Sequence, residues 1–198
     1  NIWESAPYKN VSLSAILYPT FLKVADQFTF NKAISIAVFQ TIVLYSSDKV
    51  SIKWPNDIYI NNHKVAGILI QNQIQGKYIS TSIVGLGINV NQETFISDAR
   101  NPISIYNSVG KYIDLNNFRK ALFENLTRQY QALCLGANRQ LNDIYHDLLY
   151  QKDQLCRYQI KDGVKVSGSI IGVNDHGLLK VLIDGQIHEF GFKEIKYL

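Results

Sequence analysis

Between Lys64 and Val90 the chain reads as two long runs of β-forming residues joined by a two-residue tip, Gly76-Lys77. So short a connection leaves the second run one direction relative to the first, antiparallel, and this long hairpin is the fixed point around which the other elements must be arranged. Apolar residues occupy both alternating sets from Lys64 to Ile70, which predicts a sheet covered on both faces at this point. Upstream, Val11 to Tyr18 is β-rich and stops at Pro19. Val50 to Trp54 is a short strand ended by Pro55, and Ile58 to Ile60 resumes it before an Asn61-Asn62 turn.

Two helical patterns flank the hairpin. From Asn31 to about Ser46, Ile34, Val38 and Ile42 recur at helical spacing while Ile36, Ala37, Val43 and Leu44 widen the apolar side, which predicts a largely buried helix with Thr29 or Asn31 as N-cap. Leu115, Phe118, Leu122, Leu126, Tyr130 and Leu133 predict a second, with Gly136 as its stop, and Leu141 to Tyr150 reads as a third. Residues 92–114 read as loop. Beyond Gln154 the pattern changes to Arg157–Ile160, Lys165–Val173, Leu178–Ile183 and Gln186–Phe190, separated by Asp162-Gly163, His176-Gly177 and Asp184-Gly185. So few residues suit a small closed barrel docked on a larger domain.

With 198 residues, 46% of them hydrophobic, the chain can bury an ordinary core. A net charge of +4 spread along the sequence favours a small anion or an acidic partner surface over a nucleic-acid footprint. Cys134 and Cys156 have no metal-ligand spacing and read as free thiols of a reducing compartment. No leader opens the sequence and no apolar run approaches the ~20 residues of a membrane helix, so a cytoplasmic, non-membrane protein is expected. There is no methionine, which suggests a missing start or methionines lost from the sequence.

The chemistry concentrates around the hairpin. Alternation puts Lys64 on one face with Ala66, Ile68 and Ile70, where an ammonium needs a partner unless it sits at a strand edge and snorkels to water. On the facing strand Ile83, Gly85, Gly87 and Asn89 share a face. Two successive missing side chains would let a flat ligand approach the backbone, although a sheet bend or close helix packing would explain them equally. Lys53, Asn56 and Asp57 bracket Pro55. They offer a phosphate contact, a bifunctional amide, and a carboxylate for a proton or Mg²⁺, or else form an ordinary turn.

Taken in order, Lys53-Trp54-Pro55-Asn56-Asp57, Lys64-Val65-Ala66-Gly67-Ile68-Leu69-Ile70 and Gly85-Leu86-Gly87-Ile88-Asn89-Val90-Asn91 resemble the biotin protein ligase family, also called biotin–acetyl-CoA-carboxylase ligase. Asn1-Ile2-Trp3-Glu4-Ser5 is similar to the tail of that family's glycine- and arginine-rich adenylate loop, whose body is expected before Asn1. Gly168 to Gly177 and the residues to Leu198 are similar to its C-terminal SH3-like barrel.

The resemblance implies an α+β fold. A mixed β-sheet flanked by helices, the class II synthetase-like catalytic domain, would occupy residues 1–152, and an SH3-like β-barrel residues 153–198. It implies an ATP-dependent ligase that forms biotinyl-5′-AMP and transfers biotin to a lysine of a biotin carboxyl carrier protein, that of acetyl-CoA carboxylase or a related carboxylase, with Mg²⁺ as cofactor and homodimerisation through the central sheet.

By the same resemblance Lys64 contacts the biotin carboxylate and the forming acyl phosphate, and Asp57 orients or deprotonates the incoming amine or holds Mg²⁺. Gly85, Leu86, Gly87 and Trp3 line the biotin pocket. Lys53 and Asn56 lie by the phosphates, Asn89 addresses adenine, and Trp3 packs beside the nucleotide. A lipoate ligase or lipoyl transferase, and a non-catalytic binding module, are the alternatives.

Overall fold

The computed structural model describes residues 3–96 and 101–198. The expected hairpin is β4 (His63–Gln75) and β5 (Tyr78–Ile88), with Gly76 at φ 63° in its tip. β1 (Val11–Leu17) pairs along β5; β3 (Asp57–Ile60) pairs with β4, and β2 (Val50–Lys53) with β3. The order is β1-β5-β4-β3-β2, and every ladder is antiparallel. The expected mixed sheet is therefore corrected. β2 through β5 are joined by tight turns that admit no parallel pairing, and β1 joins the edge antiparallel as well.

One face of this sheet carries the core: Val11, Ile52, Ile58, Ile60, Ala66, Ile68, Val84, Leu86 and Ile88 are all buried. The other face is open where Ile16, Leu69 and Ile83 are exposed, so the expected cover on both faces is corrected. Of the second set in this segment Leu69 is exposed, while Val65 is fully buried.

The first helix, α1 (Gln27–Val43), starts four residues before Asn31 because a 3₁₀ turn, Val24–Asp26, feeds it directly. Asp26 holds the cap position, and Thr29 and Asn31 lie inside the helix. Phe30, Ile34, Val38 and Ile42 are buried, as their spacing predicts. A short α2 (Ile105–Val109) interrupts the expected loop, closed by a reciprocal capping box between Ser104 and Asn107 and by Gly110 at φ 68°. The expected second and third helices are α3 (Leu115–Cys134) and α4 (Asn138–Asp147), and α1 packs against both. No described helix is long and apolar enough to cross a membrane. Both cysteines are free.

The C-terminal strands β6 (Leu155–Ile160), β7 (Lys165–Val173), β8 (Leu179–Ile183) and β9 (Gln186–Phe190) lie where the turn signals place them. β10 (Ile195–Tyr197), which three residues could not announce, pairs with β6. The hydrogen-bonded order β10-β6-β7-β8-β9 leaves β10 and β9 as edges, an open sheet in place of the expected closed barrel.

The two sheets share one core. Trp54 Nε1 donates to the Gly177 carbonyl at 2.9 Å, His146 Nε2 lies 2.9 Å from the Val173 carbonyl, and Tyr145 donates to the Pro55 carbonyl at 3.1 Å. Gly177 sits at φ 88°, and a Cβ there would meet the Phe28 ring at 2.5 Å. Gly177→Ala is accordingly expected to destabilise the fold by about 2 kcal/mol through overpacking and left-handed backbone strain, read as a lowered midpoint of urea unfolding.

Candidate active site

The antiparallel register aligns Lys53, Asp57, Gly67, Gly87 and Ser12 in one row across all five strands of the first sheet. Two of the five positions carry no side chain, and the Trp3 indole lies over them. A Cβ on Gly87 would come within 2.4 Å of that ring, and one on Gly67 within 3.1 Å. The glycines thus serve close approach of a flat group, in place of a bend or helix packing. Gly85, one step along β5, faces open space apart from Leu69 at 3.7 Å.

A bulge decides where Lys64 points. Ile58 pairs with Ala66 and Tyr59 with Lys64, leaving Val65 as an extra residue. Alternation is broken there, and Lys64 leaves the face of Ala66, Ile68 and Ile70, correcting the expected grouping. Its Nζ would lie 3.2 Å from a Cβ on Gly67, and it pairs with Asp57 Oδ1 at 2.6 Å. Both side chains remain partly accessible, at 28% and 29%, so an anionic ligand can reach the lysine. The ammonium also stands 5.7 Å from the Trp3 ring centroid. The backbone of Lys64 is held by residues 101–103: its N–H donates to the Asn101 carbonyl at 2.8 Å, and its carbonyl accepts from Ile103 N–H at 3.0 Å.

The remaining sequence candidates are placed less uniformly. Asn56 Nδ2 donates to the Ile68 carbonyl at 2.5 Å, and Ile68 N–H returns to the Asn56 carbonyl at 3.0 Å, so this residue staples the proline turn to β4 beside Asp57. Leu86 points into the core, because its glycine neighbours face the other way; only its backbone belongs to the site. Asn89 is buried with Nδ2 donating to the Ile103 carbonyl at 3.1 Å, while its Oδ1 has no hydrogen-bond partner among the described residues. An unsatisfied buried acceptor is costly and marks a place where a ligand donor would be stabilising.

Lys53 Nζ donates to the Tyr59 hydroxyl at 3.0 Å and lies 4.6, 4.5 and 5.8 Å from the ring centroids of Tyr59, Tyr197 and Tyr150. These tyrosines gave no local sequence signal, since they come from β3, the segment after α4, and β10. No cluster of three or more His, Cys, Asp or Glu occurs among the described residues. Asp57 is the single carboxylate of the row, which fits Mg²⁺ only in the manner of a site completed by substrate phosphates and water.

A sequence profile described as the biotin/lipoate A/B protein ligase family matches residues 1–89, which spans the Lys53–Asp57 turn, the hairpin and the glycine strand. Over those residues the chain is similar to biotin and lipoate ligases. It is 40% identical over 93 residues to the bifunctional ligase/repressor BirA of Bacillus subtilis, covering 46% of this chain and 28% of that protein. It is 27% identical over 200 residues to the human biotin–protein ligase, covering 93% of this chain and 26% of that protein. The chain therefore spans about a quarter of these curated relatives. The biotin protein ligase of Aquifex aeolicus, solved in complex with biotin and ATP, shares the fold with a TM-score of 0.79 at 19% identity, over 96% of this chain and 79% of that one. The glycine row, the bulged Lys64 and the Asp57 pair all fall within the residues matched by the profile.

Proposed function

We propose that the chain is the catalytic part of an ATP-dependent ligase that activates biotin as biotinyl-5′-AMP and transfers it to a lysine of a biotin carboxyl carrier protein. The observation that carries this reading is the Lys64–Asp57 pair beside a two-glycine floor on the open face of the sheet. Similarity to biotin protein ligases supports it.

In the first step the biotin carboxylate attacks the α-phosphate of ATP and pyrophosphate leaves. Anion meets anion, so catalysis depends on fixed positive charge at the oxygens where the charges crowd. Lys64 supplies that charge on exchanging Asp57 for the substrate carboxylate. The backbone at Gly85 receives the ring system, which reaches Gly87 by displacing the Trp3 indole resting there; Trp3 then borders the ring and the nucleotide, and Asn89 Oδ1 accepts from the adenine amine. Lys53 faces the phosphates, with Asn56 setting the turn that presents them. Mg²⁺, when bound, would offset phosphate charge beside Asp57.

In the second step the carrier amine attacks the acyl carbon and AMP leaves. An ordinary lysine is almost wholly protonated at neutral pH. Asp57, released by Lys64, is placed to orient that ammonium and take its proton.

We further propose that residues 1–152 form this catalytic domain and residues 153–198 a docked SH3-like unit. The open strip of Ile16, Leu69 and Ile83 would pair two copies into a homodimer, and the protein would work in the cytoplasm. Pyrophosphate release with biotin and ATP, followed by labelling of a carrier domain, tests the ligase reading. Release with lipoate alone would assign a lipoate ligase, and no ATP turnover with tight retention of a peptide or oligonucleotide would assign a binding module.

A further inference from the structure

Lys53 is the one proposed phosphate contact whose surroundings come from both sheets. Its ammonium is bracketed by the rings of Tyr59 and Tyr197 at 4.6 and 4.5 Å, with Tyr150 at 5.8 Å. Tyr197 is itself fixed. It sits opposite Tyr158 in the β10–β6 ladder, meets that ring edge-on at 5.5 Å, and packs on Tyr150 at 6.0 Å. Burial and the neighbouring tyrosines hold its phenol well above the ordinary value, so it stays protonated through the neutral range. Ring faces attract a cation through their quadrupole and carry no net charge. The rings can therefore help fix the ammonium without themselves cancelling the charge it presents to an anion.

We propose that Tyr197 is a positioning residue for Lys53, by which the second sheet sets the affinity of the first for the phosphates of ATP. The proposal rests on the ligase reading and adds to it a contributor from β10, more than a hundred residues beyond the last glycine of the floor. It predicts a separation of substrates. Loss of the Tyr197 ring frees the Lys53 ammonium to wander and weakens the phosphate contact, while the biotin floor, built on β4 and β5, is untouched.

The test is biotin-dependent pyrophosphate–ATP exchange by the full chain, with biotin binding measured separately by calorimetry. Tyr197→Leu is expected to raise KM for ATP about tenfold, in keeping with loss of a partly desolvated cation–π contact, with biotin affinity unchanged. Tyr197→Phe, which keeps the ring, is expected to restore the wild-type KM. Adding Tyr197→Leu to Lys53→Ala is expected to raise KM no further, since both act through one ammonium.

A purely structural role would lower both affinities and add to Lys53→Ala. That result, or an unchanged KM for ATP in Tyr197→Leu, overturns the inference. Should Tyr197→Leu fail to fold, Tyr150→Leu carries the same expectation at smaller size, and an unchanged KM there overturns it equally. Absence of exchange in the wild-type chain would instead count against the ligase reading itself.

Discussion

Lys64→Ala is expected to slow biotinyl-adenylate formation by ~100-fold or more, the usual consequence of removing one preorganised charge contact from a transition state. The reason lies in the bulge. With Val65 extruded from the β3 ladder, the ammonium stands over Gly67 and against Asp57 at 2.6 Å, where the carboxylate of a ligand lying on the glycine floor would crowd a phosphate. Lys64→Arg should recover only part of the rate, because a planar guanidinium does not reproduce a compact point charge. Single-turnover pyrophosphate release reads the effect directly, with circular dichroism confirming the fold. A near-normal rate in a folded Lys64→Ala protein would remove this lysine from the mechanism.

Asp57→Asn is expected to act on the other half-reaction. Replacing the carboxylate leaves Lys64 without its anionic partner, so biotin no longer competes with Asp57 and its affinity should hold or rise. Transfer from preformed adenylate to a carrier domain should fall ~100-fold, the lower end of what a positioned general base contributes. Chasing preformed adenylate with carrier separates the two effects. Equal losses in biotin binding and transfer would mean that Asp57 serves only to orient Lys64.

What could be read from the sequence and what could not divides along a physical line. The hairpin, the buried face of α1 and the alternation of Gly85 and Gly87 with Leu86 are local consequences of period and turn chemistry, and they stand where periodicity places them. The direction of Lys64 was not legible. A bulge is a relation between two strands, and nothing in Lys64-Val65-Ala66 alone reveals that Val65 lacks a partner. The open face is hidden in the sequence for a related reason: apolar residues in both sets of β4 look alike whether or not a layer covers them. α2 and β10 are too short for a periodic signal. The tyrosines around Lys53 converge from residues 59, 150 and 197, a proximity that only the docking of the second sheet creates.

The extra residue in β4 has a consequence for how such chains can change. Because side chains alternate at every step, a regular ladder over the same residues would pair Val65 with Tyr59 and Lys64 with Ile60. Lys64 would then be driven among Ile58 and Ile68, and an aliphatic group would take its place at the anion. A substitution at Val65 alters packing by degrees, whereas a slip of the ladder by one residue there exchanges inside for outside in a single event. The register of this short stretch is thus itself part of the active site, a measure that no residue-by-residue comparison of side chains would reveal.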